Sequence, residues 1–348
     1  WRMNRGFALR AAVSIVENEL RAARASAVHE RSPAEVVLLT RPLPAGQEYT
    51  AQVDKVYALG KRTVSNWHLE PSQLDGTTLK GALDQTATVT GTATFVQGKV
   101  GRCLVLDGSV SLSVSSPYLD EVREGVYVEA YVKPDATGLS KDDLLPIVAK
   151  TGGSPAVFVL SLQYEPSNDG QALFWLDGRV RTESSTVGAH TAALLRADEW
   201  VHVAMEYNPH RDREVLNSPG VILRVDGREA ELYDDAPGSG ALAASASPML
   251  IGSDGSRNFR GRLDAVKVAA LVAGEVRNLP RNTEVYADPG GSPDGRIHFD
   301  DEGKLDRRFH SALVRFRVLS PSDRLQRILQ VNWMGGVEIG EQERVDVK

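Results

Sequence analysis

Few of the acidic and histidine side chains in this 348-residue sequence have the spacing of a catalytic site. Glu229 and Glu231 lie two residues apart, so a strand would place both carboxylates on one face, as acid–base chemistry needs. They directly follow a turn signal, which favours a solvated position. His202 lies in an apolar strand-like run, where packing is the better interpretation. Asp300–Glu302 is acidic enough to attract calcium, but a solvated turn is the simpler interpretation.

The stronger signatures of catalysis and metal binding are absent from the sequence. It contains no His-Glu-x-x-His, no Cys-x-x-Cys, no phosphate-binding loop and no Gly-x-Ser-x-Gly. With Cys103 as the single cysteine, no intrachain disulfide can form, and a zinc site is disfavoured. We therefore expect a protein that is not an enzyme.

Charge and hydropathy exclude two further classes of function. The formal net charge is −6, and residues 66–273 carry 18 basic against 27 acidic residues. Binding to a nucleic-acid backbone depends on clustered lysine and arginine, so no nucleic-acid partner is expected. No apolar run reaches the roughly 18 residues that a membrane-spanning helix needs. We expect membrane attachment only through a helix upstream of Trp1.

The first 65 residues predict one amphipathic helix and two strands. The helix has an apolar stripe spaced by three and four residues, formed by Leu9, Val13, Val16, Leu20, Ala23 and Ala27. Pro33 ends it, because proline disfavours the helical conformation of the residue before it. Strand-like runs follow at Ala34–Leu39 and Tyr49–Tyr57.

Residues 66–273 predict an all-β domain without a persuasive helical period. Short β-rich runs alternate with Gly, Asp, Asn, Ser and Pro clusters, which is typical of a two-sheet sandwich. The runs are Val126–Val132, Val157–Leu162, Ala172–Leu176, Trp200–Tyr207 and Val221–Val225.

Residues 274–348 predict a β meander with alternating strands, among them Ala312–Leu319 and Leu325–Val331. This segment contains too little helix to cover its own apolar face, and the N-terminal helix is the natural cover. We therefore predict three segments: 1–65 and 274–348 form one domain, which residues 66–273 interrupt.

Five runs of the middle segment resemble, in order, the strand motifs of the laminin-G-like, concanavalin A-like lectin/glucanase superfamily. They are Lys99–Gly108, Val126–Pro134, Asp198–Ala204, Leu223–Arg228 and Leu250–Gly252 with Phe259–Val266. The resemblance implies a jelly-roll sandwich of two antiparallel sheets. Its glucanase members carry Glu-x-Asp-x-x-Glu or Glu-x-Asp-x-Glu on one strand, and this sequence has neither.

The same resemblance implies a calcium site. Relatives often bind calcium at the rim of the sandwich, and the matching residues here are Asp264 and Asp84. The alternative for Asp264 is that it caps a turn or pairs with Arg260 or Arg262.

The flanking segments resemble the H-type minor pseudopilins of type II secretion systems and minor type IV pilins. The matching runs are Leu20–Ala27, Ile297–Leu305 and Gln330–Ile339. This resemblance implies a helix packed on an antiparallel meander, other pilin or pseudopilin subunits as partners, and a periplasmic or cell-surface location after anchoring in the inner membrane. The closing segment lacks the basic residues of DNA-binding minor pilins, since Glu338, Glu341, Glu343 and Asp346 dominate it.

Two hypotheses for function follow. The first is a non-enzymatic minor pilin or pseudopilin subunit that displays a lectin-like domain for a glycan or protein ligand. The alternative is a secreted carbohydrate-binding or adhesive protein whose flanking segments form an accessory β module.

Overall fold

The structure is a computed structural model, and it describes residues 6–44, 47–153, 156–167, 169–209, 220–236, 240–292 and 295–345. Two compact units form from these residues. The first comprises the described residues up to Arg62 and from Val272 onward, and the second those from Thr63 to Leu271. Within the described residues the protein is mainly β, with antiparallel strand pairing and two α-helices.

The secondary-structure elements have the following bounds. The helices are α1 (Phe7–Glu30) and α2 (Pro117–Asp120), with one 3-10 turn at Pro71–Gln73. The strands up to the middle of the chain are β1 (Ala34–Pro42), β2 (Ala51–Trp67), β3 (Leu74–Asp75), β4 (Thr78–Lys80), β5 (Thr86–Thr90), β6 (Thr94–Gln97), β7 (Arg102–Asp107), β8 (Ser111–Val114), β9 (Val126–Pro134), β10 (Leu144–Lys150), β11 (Phe158–Pro166), β12 (Ala172–Arg181) and β13 (Thr186–Thr191). The remaining strands are β14 (Leu195–Arg196), β15 (Val201–Tyr207), β16 (Val221–Val225), β17 (Arg228–Glu229), β18 (Leu232–Ala236), β19 (Met249–Ile251), β20 (Arg260–Ala273), β21 (Arg277–Asn278), β22 (Glu284–Asp288), β23 (Ile297–Phe299), β24 (Val314–Ser320), β25 (Leu325–Val331), β26 (Val337–Ile339) and β27 (Glu343–Arg344).

The first unit packs α1 on an antiparallel sheet. The predicted stripe is buried, with Leu9, Val16 and Leu20 fully inaccessible, and α1 contacts β1, β23, β24, β25 and β26. The strand order is β23-β1-β2-β22-β24-β25-β26. Arg31 ends the helix in the left-handed conformation, and its N–H is bonded to Ala27. Spacing in the sequence therefore predicted both the helix and its buried face.

The second unit is a two-sheet sandwich. One sheet has the order β18-β13-β12-β11-β10-β19-β8-β5-β4-β3, and the other runs β17-β16-β15-β9-β20-β7-β6. Alternate residues of each strand meet in one core, for example Val128, Ala130 and Val132 of β9, which are all fully buried. These features confirm the expected mainly β, jelly-roll type of sandwich.

Two details differ from the sequence-based expectation. No helix was predicted between residues 67 and 273, but α2 forms a single turn there. Four residues are too few to show a helical period, which is why the pattern missed it. The strand predicted at 49–57 begins at Ala51 and continues to Trp67.

Candidate functional site

The outer face of β12 carries an unusual series of side chains. Phe174, Leu176 and Val180 point into the core of the sandwich and are fully buried. The alternation of a strand places Trp175, Asp177 and Arg179 on the opposite face, about 7 Å apart in succession. An aromatic ring, a carboxylate and a guanidinium therefore lie in a row.

Three aromatic rings meet at one end of this row, and we call them the aromatic platform: Trp175, His190 and Tyr233. The ring centroids of Trp175 and His190 are 4.8 Å apart, and Tyr233 lies 5.1 Å from Trp175 and 5.5 Å from His190. The Tyr233 side chain is 70% exposed, whereas the other two are half-buried. An exposed aromatic surface of this kind suits a ligand with an apolar face and polar edges.

Strand register brings the platform together. His190 of β13 lies opposite Asp177 of β12, and β18 pairs with the far edge of β13. An irregularity between His190 and Thr191 leaves Tyr233 without a direct partner on β13. Such bulges redirect a side chain, and here the Tyr233 ring comes to pack on both other rings.

Two polar atoms of the platform have no hydrogen-bond partner among the residues that the structure describes. Trp175 Nε1 and His190 Nε2 are inaccessible to solvent and have no partner among the described residues. A buried polar atom without a partner costs free energy, and native structures contain few of them.

A pocket of about 470 Å³ adjoins the platform on the same sheet, and Leu144, Ala156 and Val159 form part of its wall. We call it the polar pocket after the charged and hydroxyl side chains that also line it. It shares Asp177 with the row on β12, and Arg179 lines it. The other polar side chains that line it are Thr151, Ser161, Asp254, Ser256 and Arg257.

Both carboxylates of the polar pocket already have donors. Asp177 accepts from Arg179 Nε at 3.1 Å and from Ser161 Oγ at 3.3 Å, and burial raises its pKa. Asp254 accepts from Arg257 Nε at 2.9 Å and from Ser256 Oγ at 2.8 Å. Although burial acts to raise the pKa of Asp254, these donors and the N–H groups of Ser256 and Arg257 lower it overall. Asp177 and Asp254 therefore fix the positions of Arg179 and Arg257, and neither carboxylate is directed at a ligand.

His202 belongs to a different cluster, on the other sheet of the second unit. Its Nε2 lies 3.2 Å from Glu129 Oε2, which also accepts from the Tyr127 hydroxyl at 2.9 Å, and Lys267 Nζ is 3.9 Å from Glu129 Oε1. Burial alone would raise the pKa of Glu129, but His202, Lys267 and Tyr127 together lower it to about 2. The Tyr131 ring packs on His202 at 4.9 Å. These contacts agree with the packing interpretation of His202.

The two residues predicted to bind calcium have different environments. Asp264 is fully buried, and its Oδ2 accepts from the Val100 N–H at 2.7 Å, so it holds the loop between β6 and β7. A Cβ at Gly98 would lie only 2.5 Å from this oxygen, so glycine is required there. Asp84 is exposed in the turn before β5, with a positive φ of 53°.

Burial raises the pKa of the Asp264 carboxyl group, and the negative charge of the Glu70 carboxylate raises it further. The other oxygen, Asp264 Oδ1, is buried without a described partner, and Asp264 bonds neither Arg260 nor Arg262. The described residues contain no group of three or more His, Cys, Asp or Glu side chains able to hold a metal ion. Calcium at Asp84 and Asp264 stays a prediction.

The remaining acidic candidates lie in solvated positions. Glu229 and Glu231 are exposed around β17. Asp300 caps its own turn, with Oδ1 accepting from the N–H groups of Glu302 and Lys304 at 3.0 and 2.9 Å. A turn accounts for these contacts.

A buried ionic cluster in the first unit was not apparent from the sequence. Glu35 accepts from Lys61 Nζ at 2.6 Å and from Arg296 Nη1 at 2.5 Å, and His298 Nδ1 lies 3.8 Å away. All four residues are at most 5% exposed. Charges buried this deeply persist because they are paired, so removing one partner would destabilise the sheet strongly.

Comparison with known proteins identifies one domain. Residues 107–277 match the model of the Laminin G 3 family, described as the concanavalin A-like lectin/glucanases superfamily. The match covers just under half of the chain and supports a lectin-like domain of this superfamily in that segment. No protein of curated function matches the sequence.

Among solved structures, three similar chains come from different sources. Domain 4 of the extracellular arabinanase AbnA from Geobacillus stearothermophilus, in complex with arabinotriose, is 16% identical, with 60% of this chain and 93% of that chain covered and a TM-score of 0.38. A carbohydrate esterase of Shiga toxin-encoding bacteriophage phi24B is 16% identical, with coverages of 61% and 99% and a TM-score of 0.35. The SAP-like pentraxin of Limulus polyphemus is 14% identical, with coverages of 42% and 64% and a TM-score of 0.29.

Proposed function

We propose that this protein binds carbohydrate on the outer face of β12, β13 and β18. The main support for the proposal is the aromatic platform, in which the exposed Tyr233 ring packs on two half-buried rings whose buried nitrogen atoms have no described partner. A sugar ring offers a C–H face for stacking and hydroxyl groups at its edge. The lectin-type domain at residues 107–277 favours this carbohydrate-binding hypothesis over the pilin hypothesis.

The proposed role is binding without catalysis. Retaining glycosidases need two carboxyl groups about 5 Å apart that can reach the sugar. On this face Asp177 is 2% exposed and engaged by Arg179 and Ser161, so it serves to position a guanidinium.

A glycan array tests the proposal. We expect the full chain to bind a defined set of glycans, and Trp175→Ala and Tyr233→Ala to lose at least tenfold in affinity. Tyr118→Ala is the matched control, because Tyr118 is a 56% exposed tyrosine on α2, outside the platform. An array without any bound glycan, or binding that survives both platform substitutions, would overturn the proposal.

A second candidate function is that of a minor pilin or pseudopilin subunit with this domain as its binding module. The observation that favours it is the packing of α1 on the antiparallel sheet of the first unit. No helix in the described part of the chain has the length and hydropathy to cross a bilayer. Sequencing the gene upstream of the Trp1 codon tests this candidate. An apolar prepilin helix there would support it, and a cleavable signal peptide would contradict it.

A further inference from the structure

We propose that the polar pocket binds the acidic group of a negatively charged sugar residue. This inference rests on the proposed carbohydrate-binding function and specifies its ligand class. The pocket lies next to the aromatic platform on β12, since Asp177 is opposite His190 and also lines the pocket. One glycan chain could therefore stack on the platform and place its next residue over the pocket.

The two carboxylates of the pocket already accept hydrogen bonds from the pocket's own residues. Asp177 is bonded by Arg179 and Ser161, and Asp254 by Arg257 and Ser256. The hydroxyl groups of both serines donate to these carboxylates, so neither hydroxyl hydrogen is available to a ligand. A neutral sugar hydroxyl needs acceptors as well as donors to be fully bonded.

The pocket retains donors that have no described partner. Arg179 uses only Nε in its ion pair, which leaves both terminal nitrogens open, and its side chain is 49% exposed. Arg257 uses Nε and Nη2, which leaves Nη1, and its side chain is 50% exposed. Arg181 adds a third guanidinium nearby, where Nη2 donates to the carbonyl of the pocket residue Gly152 at 2.8 Å.

The guanidinium groups of Arg179 and Arg257 are each fixed by an ion pair with an aspartate and still have N–H groups with no described partner, so together they are suited to bind an anion. Pairing through Nε fixes the plane of the Arg179 guanidinium and directs its paired terminal N–H groups away from Asp177. That fork matches a carboxylate or a sulfate ester in a bidentate geometry. A uronic acid residue is the ligand we favour, because its planar carboxylate fits the fork in two parallel hydrogen bonds.

Isothermal titration calorimetry of the full chain with an oligogalacturonide and its fully methyl-esterified form tests this inference. The two ligands share a backbone and differ in charge. We expect the acid to bind at least tenfold more tightly than the ester, and this preference to weaken with rising salt. A neutral oligosaccharide that carries sulfate esters distinguishes a carboxylate ligand from a sulfate ligand. Tighter binding of this oligosaccharide than of the oligogalacturonide would show that the pocket prefers sulfate.

Charge-removing variants locate the site. Arg257→Gln should remove most of the preference for the acid, while Asp254 keeps its backbone donors. Because Arg179→Gln alone would strand the buried Asp177 charge, the double variant Asp177→Asn/Arg179→Gln accompanies it. Arg196→Gln is the control, as Arg196 is 66% exposed and lies on β14.

The outcomes separate this inference from the proposed function. Equal affinity for acid and ester, with binding that depends on Trp175, would overturn the acidic-sugar assignment and keep carbohydrate binding. An acid preference that survives the Arg257 and Arg179 variants would also overturn it. Absence of binding to every glycan tested would contradict both proposals.

Discussion

The Glu129 carboxylate contributes to the stability of the second unit in a way that depends on pH. Its pKa is lowered from 4.5 to about 2 in the folded protein. A carboxylate with a depressed folded pKa stabilises the fold above its unfolded pKa, and this contribution is lost as the pH falls towards the folded value. The shift corresponds to a stabilisation on the order of 3 kcal/mol, which we expect to be lost progressively between about pH 4.5 and pH 2.

Urea unfolding of the wild type and of Glu129→Gln from pH 7 to pH 2.5 measures this contribution. The variant should be less stable at pH 7 and should lose less stability on acidification. Glu199→Gln is the control, because Glu199 is 63% exposed and its pair with Arg196 is long, at 3.6 Å. Parallel pH profiles for wild type and Glu129→Gln would show that Glu129 is not the linked group.

Thermal melting tests whether Asp264 and Asp84 bind calcium. If Asp264 and Asp84 bind calcium in the folded state only, excess calcium should raise the melting temperature and a chelator should lower it. Asp264→Asn and Asp84→Asn should each abolish that difference. Coincident melting curves with calcium and chelator would leave Asp264 with the role that its geometry shows, holding the loop at Val100.

At the scale of elements, α1 is stabilised mainly by its buried stripe. Leu20 is fully inaccessible, and Leu20→Asp would bury an unpaired charge against the sheet of the first unit. We expect the first unit to lose several kcal/mol. Ala22→Asp places the same side chain on the exposed face of α1 and should cost under about 1 kcal/mol. Equal melting temperatures for the two variants would show that the stripe is not what stabilises α1.

The sequence predicted elements better than it predicted the site. Alternation identified β9 and β24, since Val314, Phe316 and Val318 are fully buried while the residues between them are not. Spacing identified α1. The run containing Trp175 was predicted as a strand, but its partners His190 and Tyr233 lie on β13 and β18. Strand order, register and a bulge bring them together, and no local pattern encodes those three properties.

The candidate site residues that were identified from motifs have local structural roles. Asp264 occurs in a strand motif of the superfamily, and the structure gives it a local task in the loop that includes Val100. By contrast, Arg179 and Arg257 are 78 positions apart in the sequence and meet only around a pocket. Residues that are far apart in the chain gain a joint function through tertiary structure, which a single sequence does not show.

At the scale of the whole molecule, the two units should be separable. Residues 66–273 were predicted to fold independently, and that stays a prediction. Replacing 66–273 by a short Gly/Ser link should leave a soluble protein with mixed helix and strand content, measured by circular dichroism and thermal melting. Aggregation of the shortened chain, together with insolubility of 66–273 alone, would show that the two units depend on one core.

The division of the first unit between both ends of the chain affects its biosynthesis. The α1 stripe leaves the ribosome early, but β23, β24 and β25, which cover it, are made last. At about 5–20 residues per second, the helix has β1 beside it early but waits for roughly fifteen seconds or more for these three strands. The second unit runs from Thr63 to Leu271 and can finish folding in that interval. A nascent chain stalled before Ile297 should therefore leave part of the α1 stripe exposed, a ready substrate for a chaperone, while the sandwich is already folded.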